Sequence, residues 1–404
     1  MRKVDVLVVG AGPAGLAAAA RLAAAGAGGI EVLDREQQAG GVPRHCAHGG
    51  FGTWLHPLTG PAYAQLLADA AVHTGAVVRT GVTALDWADP LALTTVGPEG
   101  SETILARTIV LATGARERPR AARLVPGTRP AGIYTTGELQ QAVHLHGQRI
   151  GSRAVIVGAE DVSYAAAGTV RAAGADVVAM VTELPCAQTA PARAQDARLR
   201  RRIPLLTDTT VSELLGHGRL SGVRVRHSGG RTVTLPCDTV VFTGDFVPDH
   251  ELARRGGLTL DVGTRGPAVD GALRTSRPGV FAVGSVLHAA ESAATAAGEG
   301  AHVAGAVRQW LAGAAWPVGV PLSVDLPLRW IAPNRVTPAD HHPYVLRTTA
   351  LSTRAVLHVV QDGRVLRRER VGSAVPNRTL RLSAGWARKV DPKGGPVKVT
   401  VTGP

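Results

Sequence analysis

One glycine-spaced turn constrains this chain more than any other feature. The apolar run Val4 to Val9 leads straight into Gly10-Ala11-Gly12-Pro13-Ala14-Gly15, and an alanine-rich stretch follows to Gly26. That order predicts strand, tight turn and helix. Gly10 permits the sharp turn, Gly12 lets the backbone approach a pyrophosphate, and Gly15 lets helix and strand pack closely. The N–H groups of the helix N-terminus then face an anion. The next apolar run, Ile30 to Leu33, ends at Asp34, where such a βαβ unit places an acid on a ribose. A dinucleotide is expected here, because strand, turn, helix, second strand and acid all stand in register.

A second unit of the same kind starts at Ala154-Val155-Ile156-Val157, turns at Gly158, and runs through a helix from about Val162 to Ala173 into Val177 to Val181 and Glu183. Gly158-Ala159-Glu160-Asp161-Val162-Ser163 fills only the first glycine of the fingerprint. A glutamate stands where the glycine that admits the diphosphate belongs, which makes NAD(P) a doubtful second cofactor, although Glu183 keeps the acid used in a ribose contact. Two other apolar runs end in glycine turns, at Ala112-Thr113-Gly114 and Thr243-Gly244. A further strand, Gly279 to Val283, turns at Gly284-Ser285 before a small-residue helix from about Ala289 to Leu311.

With 404 residues the chain calls for two or three domains. Pro317 to Pro327 reads as a linker. Beyond it, alternating runs such as Val356 to Val360, with Gln361-Asp362-Gly363-Arg364 as a hairpin turn, predict a small all-β appendage. The fold class expected is α/β: two Rossmann-like (three-layer ββα) dinucleotide-binding domains, one inserted in the other, plus a small C-terminal all-β domain. The boundaries are 1–118 and 236–318 for the first domain, 119–235 for the second and 328–404 for the appendage.

Charge and cysteine content narrow the function. The net charge of +13 is spread along the chain, with only Arg200–Arg202 and Arg367–Arg370 as short clusters. That describes a solvated or docking face rather than a nucleic-acid site. Cys46, Cys186 and Cys237 are the three cysteines and form no CxxC, so neither a disulfide framework nor a dithiol pair is encoded. A reducing cytoplasm fits them. The first strand begins too early to leave room for a signal peptide, and no apolar span is long enough for membrane insertion.

The constellation of GAGPAG at 10–15, ATG at 112–114, the degenerate motif at 158–163, TG at 243–244 and VFAVGS at 280–285 resembles the two-dinucleotide-fold flavoproteins related to glutathione and thioredoxin reductases, the pyridine nucleotide-disulfide oxidoreductase-like proteins. GGVPRHC at 40–46, GFG at 50–52 and LTGPAYA at 58–64 look closest to flavoproteins that accompany glycerol-3-phosphate dehydrogenases. They are also similar to the FAD-binding α subunits of opine oxidase, hydroxyproline dehydrogenase and hydrogen cyanide synthase. The resemblance implies FAD on the first unit, held by Gly10, Gly12, Pro13, Ala14 and Gly15. Asp34 and Arg35 would lie at the adenosine ribose, Gly41 against the cofactor, Val82 near the adenine, and Ala112, Thr113 and Gly114 over the diphosphate. Gly284 and Ser285 would lie at the ribitol, Ser285 standing where the family has an Asp.

Cys46 and His45, by the same resemblance, lie near the flavin and are the candidate catalytic residues; packing of Cys46 as a small hydrophobe is the competing reading. With His48 they make no zinc spacing, so no metal is expected. The function implied is an FAD-dependent oxidoreductase, the electron-transferring subunit of a heteromeric dehydrogenase for a small amine, amino acid or polyol phosphate. Its partners would be a small-molecule substrate and a dehydrogenase subunit or iron–sulfur protein, since residues 247–404 hold no cysteine for a cluster of their own. A stand-alone NAD(P)H-dependent reductase and a non-catalytic FAD-holding scaffold are the alternatives.

Overall fold

The computed structural model describes residues 1–53, 55–289 and 291–403. The chain forms two units, one of Met1–Arg44, Phe51–Arg116 and Val247–Pro404, the other of His45–Gly50 and Glu117–Phe246. Among the described residues no helix is long and apolar enough to cross a membrane.

In the first unit a parallel sheet runs in the order Val77–Thr80, Ile30–Asp34, Arg2–Val9, Gly100–Leu111, with Val280–Ala282 beside the last of these. Two antiparallel strands, Ala92–Gly97 and Thr83–Asp89, extend it. Val6, Leu7 and Val8 are fully buried because a central parallel strand is covered on both faces, which is why the sequence reads as a continuous apolar run. Each such side chain contributes roughly 1.5–3 kcal/mol relative to exposure. The helix Pro13–Ala24 begins with proline at its first turn, where the missing N–H costs nothing. A Cβ at Gly300, in the helix Ala293–Leu311, would overlap the Ala14 carbonyl, so these two helices touch backbone to backbone.

The C-terminal strands form a five-stranded sheet, Arg335–Val336, Val320–Val324, Val397–Thr402, Ser352–Gln361 and Arg364–Ala374, and a three-stranded one, Leu328–Ala332, Tyr344–Thr348 and Leu380–Leu382. They share a core in which Tyr344 and Trp386 lie 5.2 Å apart. Positive φ at both Asp362 and Gly363 makes the hairpin turn, the geometry that matches strand twist.

Two expectations need correction. The stretch expected to be a linker, Pro317 to Pro327, contains the strand Val320–Val324, whose alternate residues Val320 and Leu322 are buried. The helix expected from about Ala289 starts at Ala293, where Ser292 accepts a hydrogen bond from the Thr295 N–H as N-cap; Ala290 lies outside the described residues. A short helix, Ser285–His288, precedes it. Val42–His45 makes one 3-10 turn.

The second unit holds a five-stranded parallel sheet in the order Ile133–Thr135, Thr239–Phe242, Arg153–Val157, Asp176–Val181, Leu205–Leu206. A three-stranded antiparallel sheet, Thr209–His217, Arg219–His227 and Thr232–Pro236, accompanies it. Two α/β sheets and the C-terminal sheets together make the fold class expected from sequence.

Candidate functional site

In the first unit the carboxyl ends of Arg2–Val9, Ile30–Asp34 and Gly100–Leu111 converge on the glycine turn. A Cβ at Gly10 would overlap the Ala112 carbonyl, and one at Gly15 would overlap the Gly10 carbonyl. Only hydrogen fits at either place, so strand, turn and helix approach as closely as the fingerprint requires. Around Gly12 the relation is reversed: a Cβ there would meet nothing within 4 Å. The space in front of the helix is open. Gly12 caps the helix without a side-chain hydrogen bond, leaving the first-turn N–H groups available to an anion.

Neighbouring segments wall this opening. Gly40 N–H donates to the Ala11 carbonyl at 2.7 Å, and a Cβ at Gly41 (φ +62°) would lie 2.9 Å from Gly12 Cα. The Gly40-Gly41 loop therefore lies against the turn. Asp34 accepts from Ala11 N–H at 2.6 Å and from Glu36 N–H at 2.9 Å. Burial raises its carboxyl above the usual range while those two donors pull it back. Each oxygen retains a lone pair for a ribose hydroxyl. Val82, buried, donates its N–H to the Asp34 carbonyl at 2.8 Å.

Across the turn, Thr113 Oγ1 donates to the Asp249 carbonyl at 2.7 Å, and Asp249 N–H donates to the Gly114 carbonyl at 2.9 Å. Arg35 Nη1 lies 3.5 Å from the Asp249 carboxyl. Burial and a hydrogen bond with Glu251 push Asp249 up, whereas that same bond and Arg116 bring Glu251 down to about 2. Gly284, at φ +77°, has room for hydrogen only, since a Cβ would lie 2.6 Å from Ala14 Cβ. Its N–H donates to Glu299 Oε2 at 2.9 Å, and Glu299 Oε1 lies 2.9 Å from His288 Nε2.

Thus Gly10, Gly12, Pro13, Ala14, Gly15, Asp34, Arg35, Gly41, Val82, Ala112, Thr113, Gly114, Gly284 and Ser285 all fall in one unit around one set of strand ends. An open, donor-rich hollow over Gly12 with glycine-only walls fits the diphosphate of a dinucleotide.

His45 and Cys46 belong to the other unit. Both are buried, and the Cys46 thiol donates to Gln140 Oε1 at 3.3 Å. Burial, reinforced by the Glu117 carboxyl, pushes the thiol up to about 12, so it is neutral at physiological pH. Glu117 is itself raised by burial and accepts from Gly137 N–H at 2.6 Å. His48 is half-buried, and among the described residues no group of three His, Cys, Asp or Glu is arranged to hold a metal.

Sequence reasoning missed Glu299, Asp249 and Gln140. A signal existed for the first: an acid set between Gly298 and Gly300 in an otherwise small-residue helix stands on a face that packs too closely to be solvated. Asp249 and Gln140 reach their partners across 214 and 94 residues, and no local pattern announces them.

Comparison with known proteins agrees with this geometry. A family model described as pyridine nucleotide-disulphide oxidoreductase matches residues 4–300. The alpha chain of sarcosine oxidase from Rhizobium meliloti (strain 1021) is 31% identical over 63% of this chain and 25% of that one. An opine oxidase subunit from Agrobacterium tumefaciens (strain Ach5) is 29% identical over 69% of this chain and 60% of its own length. This chain spans a quarter to a third of the sarcosine oxidase subunits it matches. The crystal structure of T. acidophilum thioredoxin reductase superposes with a TM-score of 0.64 at 24% identity, covering 76% of this chain and 99% of that one.

Proposed function

The chain belongs to the pyridine nucleotide-disulphide oxidoreductase family, and on that premise we propose that it is the electron-transferring subunit of a heteromeric dehydrogenase acting on a small amine, amino acid or polyol phosphate. It is an FAD-dependent oxidoreductase. Bound FAD supplies the redox chemistry, and the protein supplies binding, orientation and electrostatics.

The observation that carries the reading is a glycine-walled opening at a helix N-terminus, with Asp34 beside it, in a chain without a redox-active cysteine pair. Gly10, Gly12 and Gly15 would hold the diphosphate on the helix N-terminus, Asp34 the ribose, and Thr113-Gly114 and Gly284-Ser285 the opposite wall. No two of the three cysteines are joined in a disulfide, and Cys46 stays protonated, so the relay of a disulfide reductase has no place here. Electrons leaving the cofactor must go to another acceptor, and a partner subunit supplies one. Two of the relatives named above are themselves subunits by their names, and the surplus positive charge offers a docking surface. Cys46 and His45 are kept as residues that tune the cofactor, and a reducing cytoplasm as the compartment that suits three thiols.

Co-expression with neighbouring gene products tests this. A complex that oxidises a small amine, amino acid or polyol phosphate with an artificial dye as acceptor, and that dissociates as salt rises, supports the reading. A single chain fully active alone, with partners adding nothing, overturns it.

A further inference from the structure

The turn between Arg153–Val157 and the helix Asp161–Ala172 has the shape of a dinucleotide turn but is already filled. Gly158 stands at φ +138°, and a Cβ there would overlap Thr243 Oγ1 and lie 2.7 Å from Glu160 Oε1 and 2.8 Å from Ser163 Oγ. A Cβ at Gly244 would overlap the Glu160 carboxyl from the other side. The space left by these two glycines is thus filled by the glutamate that replaces the fingerprint's second glycine. Glu160 is 8% exposed. Its Oε2 accepts from Ala159 N–H at 2.9 Å and its Oε1 from the Thr243 hydroxyl at 2.6 Å, while Ser163 Oγ lies 2.7 Å from Thr243 Oγ1. The carboxyl thus fills the space over the turn and takes two of its donors, the Ala159 N–H and the Thr243 hydroxyl.

Two further contacts fix the arrangement. Gln188 N–H donates to the Ala159 carbonyl at 2.9 Å, which draws the segment after Asp176–Val181 across the turn. Arg123 Nη1 donates to the Thr243 carbonyl at 2.8 Å, and its Nη2 is buried without a hydrogen-bond partner. Burial lowers the half-buried Arg123 guanidinium, and the Asp245, Glu117 and Glu160 carboxyls around it oppose that shift.

We infer that Glu160 is a built-in occupant of the anion subsite in this second dinucleotide fold, so that the unit takes no nicotinamide dinucleotide. This deepens the proposed function and rests on it in one respect only: the electrons reaching FAD come from a substrate or partner rather than from NADH or NADPH. The block itself is a property of the loop. Glu160→Gly removes the carboxyl and restores the fingerprint residue, freeing the Ala159 N–H and the Thr243 hydroxyl for a phosphate.

The test is calorimetric titration of the FAD-loaded full chain with NADH and NADPH, read as binding and not as turnover. The wild type is expected to show no saturable binding up to about 1 mM, and Glu160→Gly to bind at least about tenfold tighter. Micromolar binding to the wild type overturns the inference, as does a folded Glu160→Gly chain with no gain. Should Glu160→Gly not fold, Glu160→Ser takes its place, and the wild-type titration decides without either. Because co-purification and dye-linked turnover test the heteromeric reading separately, failure of one is distinguishable from failure of the other.

Discussion

Glu299 Oε2 holds the N–H of Gly284 at 2.9 Å while its Oε1 meets His288 Nε2 at the same distance, so one buried acid pins both the glycine turn and the short helix after it. Glu299→Ala would leave the Gly284 N–H and a fully buried imidazole unsatisfied. A loss of about 1–3 kcal/mol is expected, with weaker retention of FAD. Thermal unfolding together with the flavin-to-protein ratio checks this; an unchanged Tm and ratio would count against the pinning role.

Gly12→Asp separates binding from folding. Gly12 sits at the helix N-cap in extended backbone, with open space around its Cα, and aspartate is a preferred N-cap residue. The variant should therefore fold with a Tm near that of the FAD-free wild type, yet stay colourless, because its carboxylate takes the place and the donors of the diphosphate. Stoichiometric FAD in the purified variant would sink the assignment of this hollow.

Arg347 and Glu291 form an ion pair at 2.7 Å with both side chains largely buried, and Thr379 Oγ1 donates to the same carboxyl at 2.8 Å. These bonds tie the C-terminal strands to the segment just before the helix Ala293–Leu311. Arg347→Met strands a buried carboxylate, for which about 3 kcal/mol of destabilisation is expected. The double variant Arg347→Met with Glu291→Gln should recover much of it. Chemical denaturation of the three chains decides, and equal losses in single and double variants would mean that the pair is not what holds the segment.

His342 stacks on His302 with ring centroids 4.3 Å apart, and His341 meets His302 edge-on. Burial, then the neighbouring His302, lowers His342 from 6.5 to about 4. Between those two values the unfolded chain binds a proton that the folded chain refuses. The stability this gives is present above pH 6.5 and is lost as pH falls through 4. Tm should fall between pH 6.5 and 4, and His342→Gln should flatten that part of the profile. Parallel profiles for the two proteins would refute the assignment.

With its thiol held at about 12, Cys46 should react with iodoacetamide at pH 8 at least about a hundredfold more slowly in the native protein than after unfolding. Mass spectrometry of timed alkylation checks the rate. Cys46→Ser tests the role: a changed flavin spectrum or reduction rate supports tuning of the cofactor, whereas no change in either leaves the residue to packing.

The first nucleotide turn, both α/β sheets and the C-terminal hairpin were legible in the order of residues. Each is set by local rules: apolar runs that need burial on two faces, glycines where only hydrogen fits, and Asp362-Gly363 at positive φ. The order of residues also marked Glu160 as foreign to its motif, because that departure is visible in a six-residue string. Where side chains point and what they meet emerged with the packing of the chain. Glu160 turns inward onto Ala159 and Thr243, the latter 83 residues away; the Cys46 thiol donates a hydrogen bond to Gln140, and Asp249 closes on Thr113 and Arg35. The strand Val320–Val324 was hidden because its five residues, interrupted by Pro321, carry little β signal until neighbouring strands complete their hydrogen bonds. Hydrogen bonds between distant segments leave no periodicity in a chain, so the identity of a buried acid's partner is a property of the packed molecule alone.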